Sequence, residues 1–206
     1  MTSKSSLIIF TRYPEEGKTK TRLIPAIGAK KAAEFQKQMT EMTIAKASEL
    51  MNKLAVDVEV YFNGGNTTLM ENWLGKEFNY RLQAEGDLGA KMYSAFSDCV
   101  DRGSEKIIII GIDCPSLSVE ILCEALSKLD EYPMVLGGAD DGGYYLLGLR
   151  ASKLDQSLFT GIDWGTGKVF EQTMGVANRL EYKLHQLPIL QDIDRPEDLE
   201  FWYKQQ

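Results

Sequence analysis

Asp113 is the residue of this chain best placed to do chemistry. It follows Ile107-Ile108-Ile109-Ile110-Gly111-Ile112, a run that predicts a strand buried on both faces in the middle of a parallel sheet, and Pro115 then turns the chain out of regular structure. Ligands of open α/β sheets bind at the carboxyl ends of strands. A carboxylate delivered there can hold a metal or a hydroxyl. The plainer alternative is that Asp113 caps the next turn.

Three other segments carry reactive residue types. Phe10 to Leu23 holds Arg12, Lys18, Lys20 and Arg22 within eleven positions, with Gly17 for close backbone approach and Thr19 and Thr21 as hydroxyl donors. Such a loop suits a phosphate chain; otherwise it is a solvated loop. It is not a P-loop, because the position five before Gly17 is Arg12 rather than glycine, and the dinucleotide pattern G-x-G-x-x-G is absent. Near the C-terminus, Asp192 and Asp194 share one side if the segment is extended. Asp194 is then either a helix cap or a metal ligand facing Asp113, since magnesium is commonly held by one or two carboxylates plus phosphates. Gly137 to Tyr145 packs four glycines and two aspartates into a stretch that is either a tight hairpin or a ligand-facing loop. Trp164-Gly165-Thr166 offers an aromatic face unless the tryptophan belongs to the core. In the loop Gln83 to Gly89, Asp87 is expected to cap a helix and Gln83 could read a base edge.

Composition narrows the choice. The chain has 206 residues, 44% hydrophobic, enough for one domain with a substantial core over 1–206. A net charge of −7 argues against a general nucleic-acid binder but not against a local basic pocket for a small anion. The three cysteines, Cys99, Cys114 and Cys123, form no C-x-x-C, so neither a disulfide framework nor a zinc knuckle is indicated, and a reducing cytoplasm fits. No signal peptide or membrane-spanning run is evident. The one histidine, His185, sits in an alternating segment and reads as a surface or edge residue, which removes histidine-rich metal sites.

The elements that must position these residues alternate. Strands are predicted at Leu7 to Thr11, Val56 to Phe62, Tyr80 to Gln83, the Asp113 strand, Met134 to Gly138, Tyr144 to Leu149 and Lys183 to Leu190. Helices are predicted over 29–54, with Phe35, Met39, Met42 and Leu50 on one stripe, and through Leu69 to Leu74. Others are expected over 87–102 with Leu88, Met92, Ala95 and Cys99 facing inward, after a Ser118 cap, over 167–178, and over 196–203 with proline in the first turn. This order predicts an α/β fold, a mainly parallel mixed sheet with helices on both faces.

Taken in order, the motifs resemble the GT-A-like transferases labelled radical-SAM/selenodomain-associated, relatives of the nucleotide-diphospho-sugar transferases. The opening F-x-K-x-P-x-x-G-x-x-K-T-R-L matches Phe10 to Leu23 with Arg12 for lysine. Q…D-L-G matches Gln83 and Asp87 to Gly89, G-x-D-x-P matches Gly111 to Pro115, D-G-G-Y-Y matches Asp141 to Tyr145, and W-x-T matches Trp164 to Thr166. D-x-D-T-P-E-D-L matches Asp192 to Leu199 with Arg195 for threonine. The resemblance implies a three-layer α/β/α GT-A (Rossmann-like) fold, and Mg2+ or Mn2+ held by Asp113 and Asp194. Arg12, Gly17, Lys20, Thr21, Arg22, Gln83 and Gly86 become candidates for the nucleotide. Gly142, Gly143, Tyr144, Trp164 and Thr166 become candidates for a small acceptor. Lys20 would share the charge of the leaving diphosphate, and Asp141 would act as base or acceptor-hydroxyl contact. The expected reaction is glycosyl transfer from a nucleotide sugar. Nucleotidyl transfer from a nucleoside triphosphate to a phosphorylated acceptor is the rival, and a non-catalytic nucleotide-binding module a further one.

Overall fold

In the computed structural model, which describes residues 4–204, every strand joins one seven-stranded sheet. In chain order the strands are β1 (Ser5–Arg12), β2 (Val56–Asn63), β3 (Asn79–Leu82), β4 (Lys106–Ile110), β5 (Met134–Ala139), β6 (Tyr144–Arg150) and β7 (Leu184–Leu190). They lie in the order β3-β2-β1-β4-β6-β5-β7. Only β6 runs against the rest, pairing antiparallel with both β4 and β5. The helices are α1 (Ile24–Ile27), α2 (Ala29–Lys53), α3 (Thr67–Leu74), α4 (Leu88–Asp101), α5 (Val119–Lys128), α6 (Val169–Arg179) and α7 (Leu199–Lys204).

Two apolar layers explain the sandwich. Successive strand residues point to opposite faces. Leu7, Ile9, Ile108 and Ile110 therefore enter a core with Phe35 and Met39 of α2, Leu122 of α5 and Trp202 of α7. Ile8, Ile107 and Ile109 enter the opposite core with Met92 and Phe96 of α4 and Val176 of α6. The four isoleucines of β4 are all essentially buried, as expected of a central strand.

Several boundaries and faces differ from expectation. The β4 ladder stops at Ile110, so Gly111, Ile112 and Asp113 already belong to the loop above the sheet. Met42 is 38% exposed, because the inward stripe of α2 runs through Gln36, Met39, Thr43, Ala47 and Leu50, and Met42 falls to its side. Leu88, the first residue of α4, is also exposed. β2 does not alternate cleanly: Glu59 is buried, its charge answered by Arg81 at 2.7 Å and Arg102 at 3.2 Å. The closing helix opens with a 3-10 turn at Pro196–Asp198 before α7. Two further 3-10 turns, Ala151–Lys153 and Gln156–Phe159, carry no sequence pattern that distinguishes them from loop. Among the described residues no helix is long and apolar enough to cross a membrane.

Candidate active site

The loop after β1 is built to bury a lysine. Thr19 is buried and donates through Oγ1 to the Glu15 carbonyl at 3.2 Å, and Leu23 is fully buried with its N–H donating to the Lys20 carbonyl at 2.9 Å. Held at both ends, the chain passes Lys20 through φ +45°, a left-handed conformation uncommon for a residue with a side chain. The Lys20 side chain is only 4% exposed. Its ammonium lies 2.8 Å from Asp113 Oδ1 and 3.7 Å from Asp194 Oδ1, donates to the Ile193 carbonyl, and sits 5.8 Å from the centre of the Phe35 ring.

The two aspartates meet because the C-terminal segment returns across the end of β4. Ile193 N–H donates to the Asp113 carbonyl at 2.9 Å, and Asp192 N–H to Asp140 Oδ1 at 3.1 Å. Asp194 is not the cap of the closing helix. The Asp198 carboxylate takes that part, accepting the N–H groups of Asp194 at 3.1 Å and Arg195 at 2.7 Å. The Asp194 side chain is thereby left for Lys20 and for the Arg22 guanidinium. Arg195 points into solvent.

Charge balance here is tight. Burial works against the Lys20 ammonium, yet Asp113, Asp194 and Asp192 together hold its pKa above the usual lysine value. Asp192 is pushed up to about 8 by burial and by Asp113, with Lys20 pulling the other way. Cys114, whose Sγ lies 3.8 Å from Asp192 Oδ1, has its thiol pushed up by burial and by the surrounding carboxylates, so it is an inert thiol rather than a nucleophile. Asp113 Oδ1 is buried and engages Lys20 as an ion pair, without a well-directed hydrogen bond.

These groups line a cleft of about 740 Å³ over the carboxyl ends of β1 and β4. It brings together Arg12, Lys20, Thr21, Arg22, Gln83, Gly86, Asp113, Tyr144, Trp164 and Asp194. Gln83 spends its amide N–H groups on the carbonyls of Thr11 and Tyr61, at 3.3 and 3.2 Å. Tyr144 meets Trp164 edge-on with ring centres 6.3 Å apart, and the Trp164 indole N–H is buried without a partner. Gly89 makes room for that indole: a Cβ there would stand 2.7 Å from Trp164 Nε1 and 2.2 Å from the Phe159 carbonyl.

Gly17, Asp141, Gly142, Gly143 and Thr166 do not line the cleft. Gly17 is at the exposed tip of its loop. Asp141 is exposed, and its Oδ1 accepts the Gly143 N–H at 2.8 Å, closing the turn between β5 and β6. Gly142, at φ +87°, packs against the Gly167 backbone. Thr166 donates to the Asp163 carbonyl at 2.7 Å. Sequence reasoning missed Lys91 as a cleft residue and gave Asp192 no role. Lys91 was findable, because it follows Asp87 and Leu88 by one helical turn and shares their open face.

The family described as "Uncharacterized protein conserved in bacteria (DUF2064)" matches residues 44–166, more than half of the sequence. The chain belongs to this family. Among solved structures, a protein of Desulfovibrio desulfuricans G20, named provisionally as a nucleotide-diphospho-sugar transferase, is 31% identical with a TM-score of 0.91, over 99% of this chain and 88% of its own. The 4-diphosphocytidyl-2C-methyl-D-erythritol synthase of Anaerococcus prevotii DSM 20548 shares the fold at TM-score 0.67 and 14% identity, over 99% and 97% of the two chains. The inositol-1-phosphate CTP transferase of T. maritima does so at 0.60 and 15%, over 99% and 95%. None of the curated proteins compared matches the chain. The fold is thus that of the nucleotide-diphospho-sugar transferases, shared with cytidylyl transferases.

Proposed function

We propose that this protein transfers a sugar from a nucleotide-diphospho-sugar donor to a small acceptor, with the help of a divalent ion. The observation that carries this reading is a single cleft that combines clustered cations and two facing aspartates with aromatic faces. Its cations, Arg12, Lys20, Arg22 and Lys91, sit at the end of β1, on the loop after it and on α4. Tyr144 and Trp164 present aromatic faces beside α4, where the Tyr144 hydroxyl reaches Met92 Sδ at 3.7 Å and Trp164 packs on Gly89. A ring or polyol would find a stacking face there.

Arg12, Lys20 and Arg22 would take the diphosphate. Gln83 and Gly86, with Thr21 nearer the phosphates, would take the nucleoside end. Asp113 and Asp194 fit magnesium or manganese. They are hard oxygen donors, one with a buried oxygen lacking a directed hydrogen bond, in a pocket whose acids outnumber the lysine they surround. Among the described residues no group of three or more His, Cys, Asp or Glu side chains could hold a metal alone, so phosphate oxygens would complete the shell. The ion, when bound, would neutralise the leaving diphosphate. Trp164 and Tyr144 would orient the acceptor against the sugar. Asp192 would bind an acceptor hydroxyl as a hydrogen-bond partner. Asp141 stays a turn residue in this reading.

Nucleotidyl transfer is favoured by one observation: similar folds include CTP transferases, and the loop after β1 concentrates cations for a triphosphate. The test is to incubate the protein with Mg2+ or Mn2+ and a panel of nucleotide sugars and nucleoside triphosphates, with polyols and phosphorylated polyols as acceptors. Release of nucleoside diphosphate is the expected outcome. Release of pyrophosphate with a phosphorylated acceptor would replace this reading with the second, and binding of no nucleotide would remove both. Asp113→Asn is expected to abolish metal-dependent nucleotide binding with the fold intact.

A further inference from the structure

Lys20 is a buried lysine whose ammonium faces two carboxylates at once, and that position has a consequence for any metal. An ion coordinated by both Asp113 Oδ1 and Asp194 Oδ1 must lie about 2.0–2.1 Å from each. The Lys20 ammonium is 2.8 and 3.7 Å from those same two oxygens, in the same gap. A divalent cation and an ammonium cannot share it, because two like charges so close in a poorly solvated pocket repel strongly. The lysine is not there by default. The surrounding structure carries it through a left-handed backbone conformation and seals it under Phe35 and the returning C-terminal segment.

We infer that Lys20 is a resident counter-cation for the Asp113–Asp194 pair, so that a divalent ion gains both carboxylates only when Lys20 leaves them, a departure that the phosphates of the nucleotide favour. This rests on the metal and phosphate assignments proposed above and adds to them that metal and nucleotide binding are coupled through one side chain. The ion alone competes with an internal cation and binds weakly. The diphosphate alone must draw Lys20 from two carboxylates and leave them unneutralised. Together, each offsets the other's cost, which is positive coupling in the thermodynamic sense. Arg22 is not equivalent. It faces Asp194 from the solvent side with its side chain 56% exposed, where its charge is screened and its withdrawal costs little.

The test uses Mn2+ without nucleotide, titrated by electron paramagnetic resonance against the wild type, Lys20→Met, Arg22→Met and Asp113→Asn, with circular dichroism to check the fold. Lys20→Met keeps the stem and removes the charge, and is expected to bind Mn2+ at least tenfold more tightly than the wild type. Arg22→Met should gain no more than about threefold. Asp113→Asn should lose binding. Unchanged or weaker binding by Lys20→Met overturns the inference, as does an equal gain in Arg22→Met, which would mean that net charge alone is responsible. If Asp113→Asn keeps wild-type Mn2+ affinity, the metal assignment itself fails, and that outcome is separate from the Lys20 comparison. A second measurement needs no variant. Acetylation of Lys20 in the wild type, followed by mass spectrometry, should be slow, speed up severalfold with saturating Mg2+, and slow again when UDP is added. No change on adding Mg2+ contradicts displacement even if Lys20→Met fails to fold.

Discussion

Replacing Gly89 and Gly175 by alanine, each within a helix, should have opposite effects. Gly175 lies inside α6, and an added Cβ would meet only the flexible Arg179 guanidinium at 3.8 Å. Alanine there should stabilise by ~0.5–1 kcal/mol, the usual helical preference over glycine. Gly89 is the second residue of α4, where the same methyl would stand 2.2 Å from the Phe159 carbonyl and 2.7 Å from the Trp164 indole nitrogen. Backbone cannot yield as a side-chain tip can, so overpacking of ~1–3 kcal/mol opposes the helical gain, for a net loss of ~0.5–2 kcal/mol. In a chain of this size the two variants should shift Tm by roughly 2–4 °C per kcal/mol, upward for Gly175→Ala and downward for Gly89→Ala. Urea denaturation followed by circular dichroism measures both. Gly89→Ala should also move Trp164 in the cleft wall. Weaker acceptor-side binding with diphosphate binding unchanged is therefore expected. Equal stabilisation by both substitutions would refute the close packing argued for Gly89, and with it the seating of Trp164.

Three further outcomes follow from the same geometry. Arg22→Ala should change stability by less than ~1 kcal/mol, since its pair with Asp194 is half in solvent, yet weaken UDP roughly ten- to a hundredfold while leaving uridine unaffected, as calorimetry would show. Asp198→Ala removes the acceptor for two backbone N–H groups and should cost ~0.5–2 kcal/mol; Asp194→Ala, which caps nothing, should cost less in the same denaturation assay. Gly142→Ala should destabilise by ~1–3 kcal/mol, because the residue combines φ +87° with a Cβ position 2.3 Å from the Gly167 carbonyl; an unchanged denaturation midpoint would count against that contact.

The fold was legible because its signals are local. Four isoleucines in a row and the side-chain caps at Asp87 and Ser118 each depend on neighbours in sequence. The misreadings arose where burial is decided at a distance. Met42 and Glu59 have the residue types of a buried and an exposed position, respectively. The turn of a long helix past its sheet exposes the first, and two arginines from other elements permit burial of the second. Leu88 reads as core in a helical pattern, but it lies at the first turn of α4 and lines the cleft, which periodicity cannot reveal.

For the site, the sequence indicated which residues matter more clearly than how they stand to one another. Asp113 and Asp194 are 81 positions apart, and their approach depends on the N–H of Ile193 reaching the carbonyl of Asp113. A motif can record that both are present but not that a lysine lies between them. The loop around Lys20 looks solvated by composition: three other cations, two glutamates and a glycine. Its burial follows instead from Thr19 and Leu23, small contributors in sequence that pin the loop against the sheet and leave Lys20 no direction but inward. The same limit applies to Asp192. Asp192 is a third carboxylate in the same pocket, and burial together with the neighbouring Asp113 raises its pKa although Lys20 pulls the other way. Its part therefore follows from the geometry of that pocket and could not have been assigned before it.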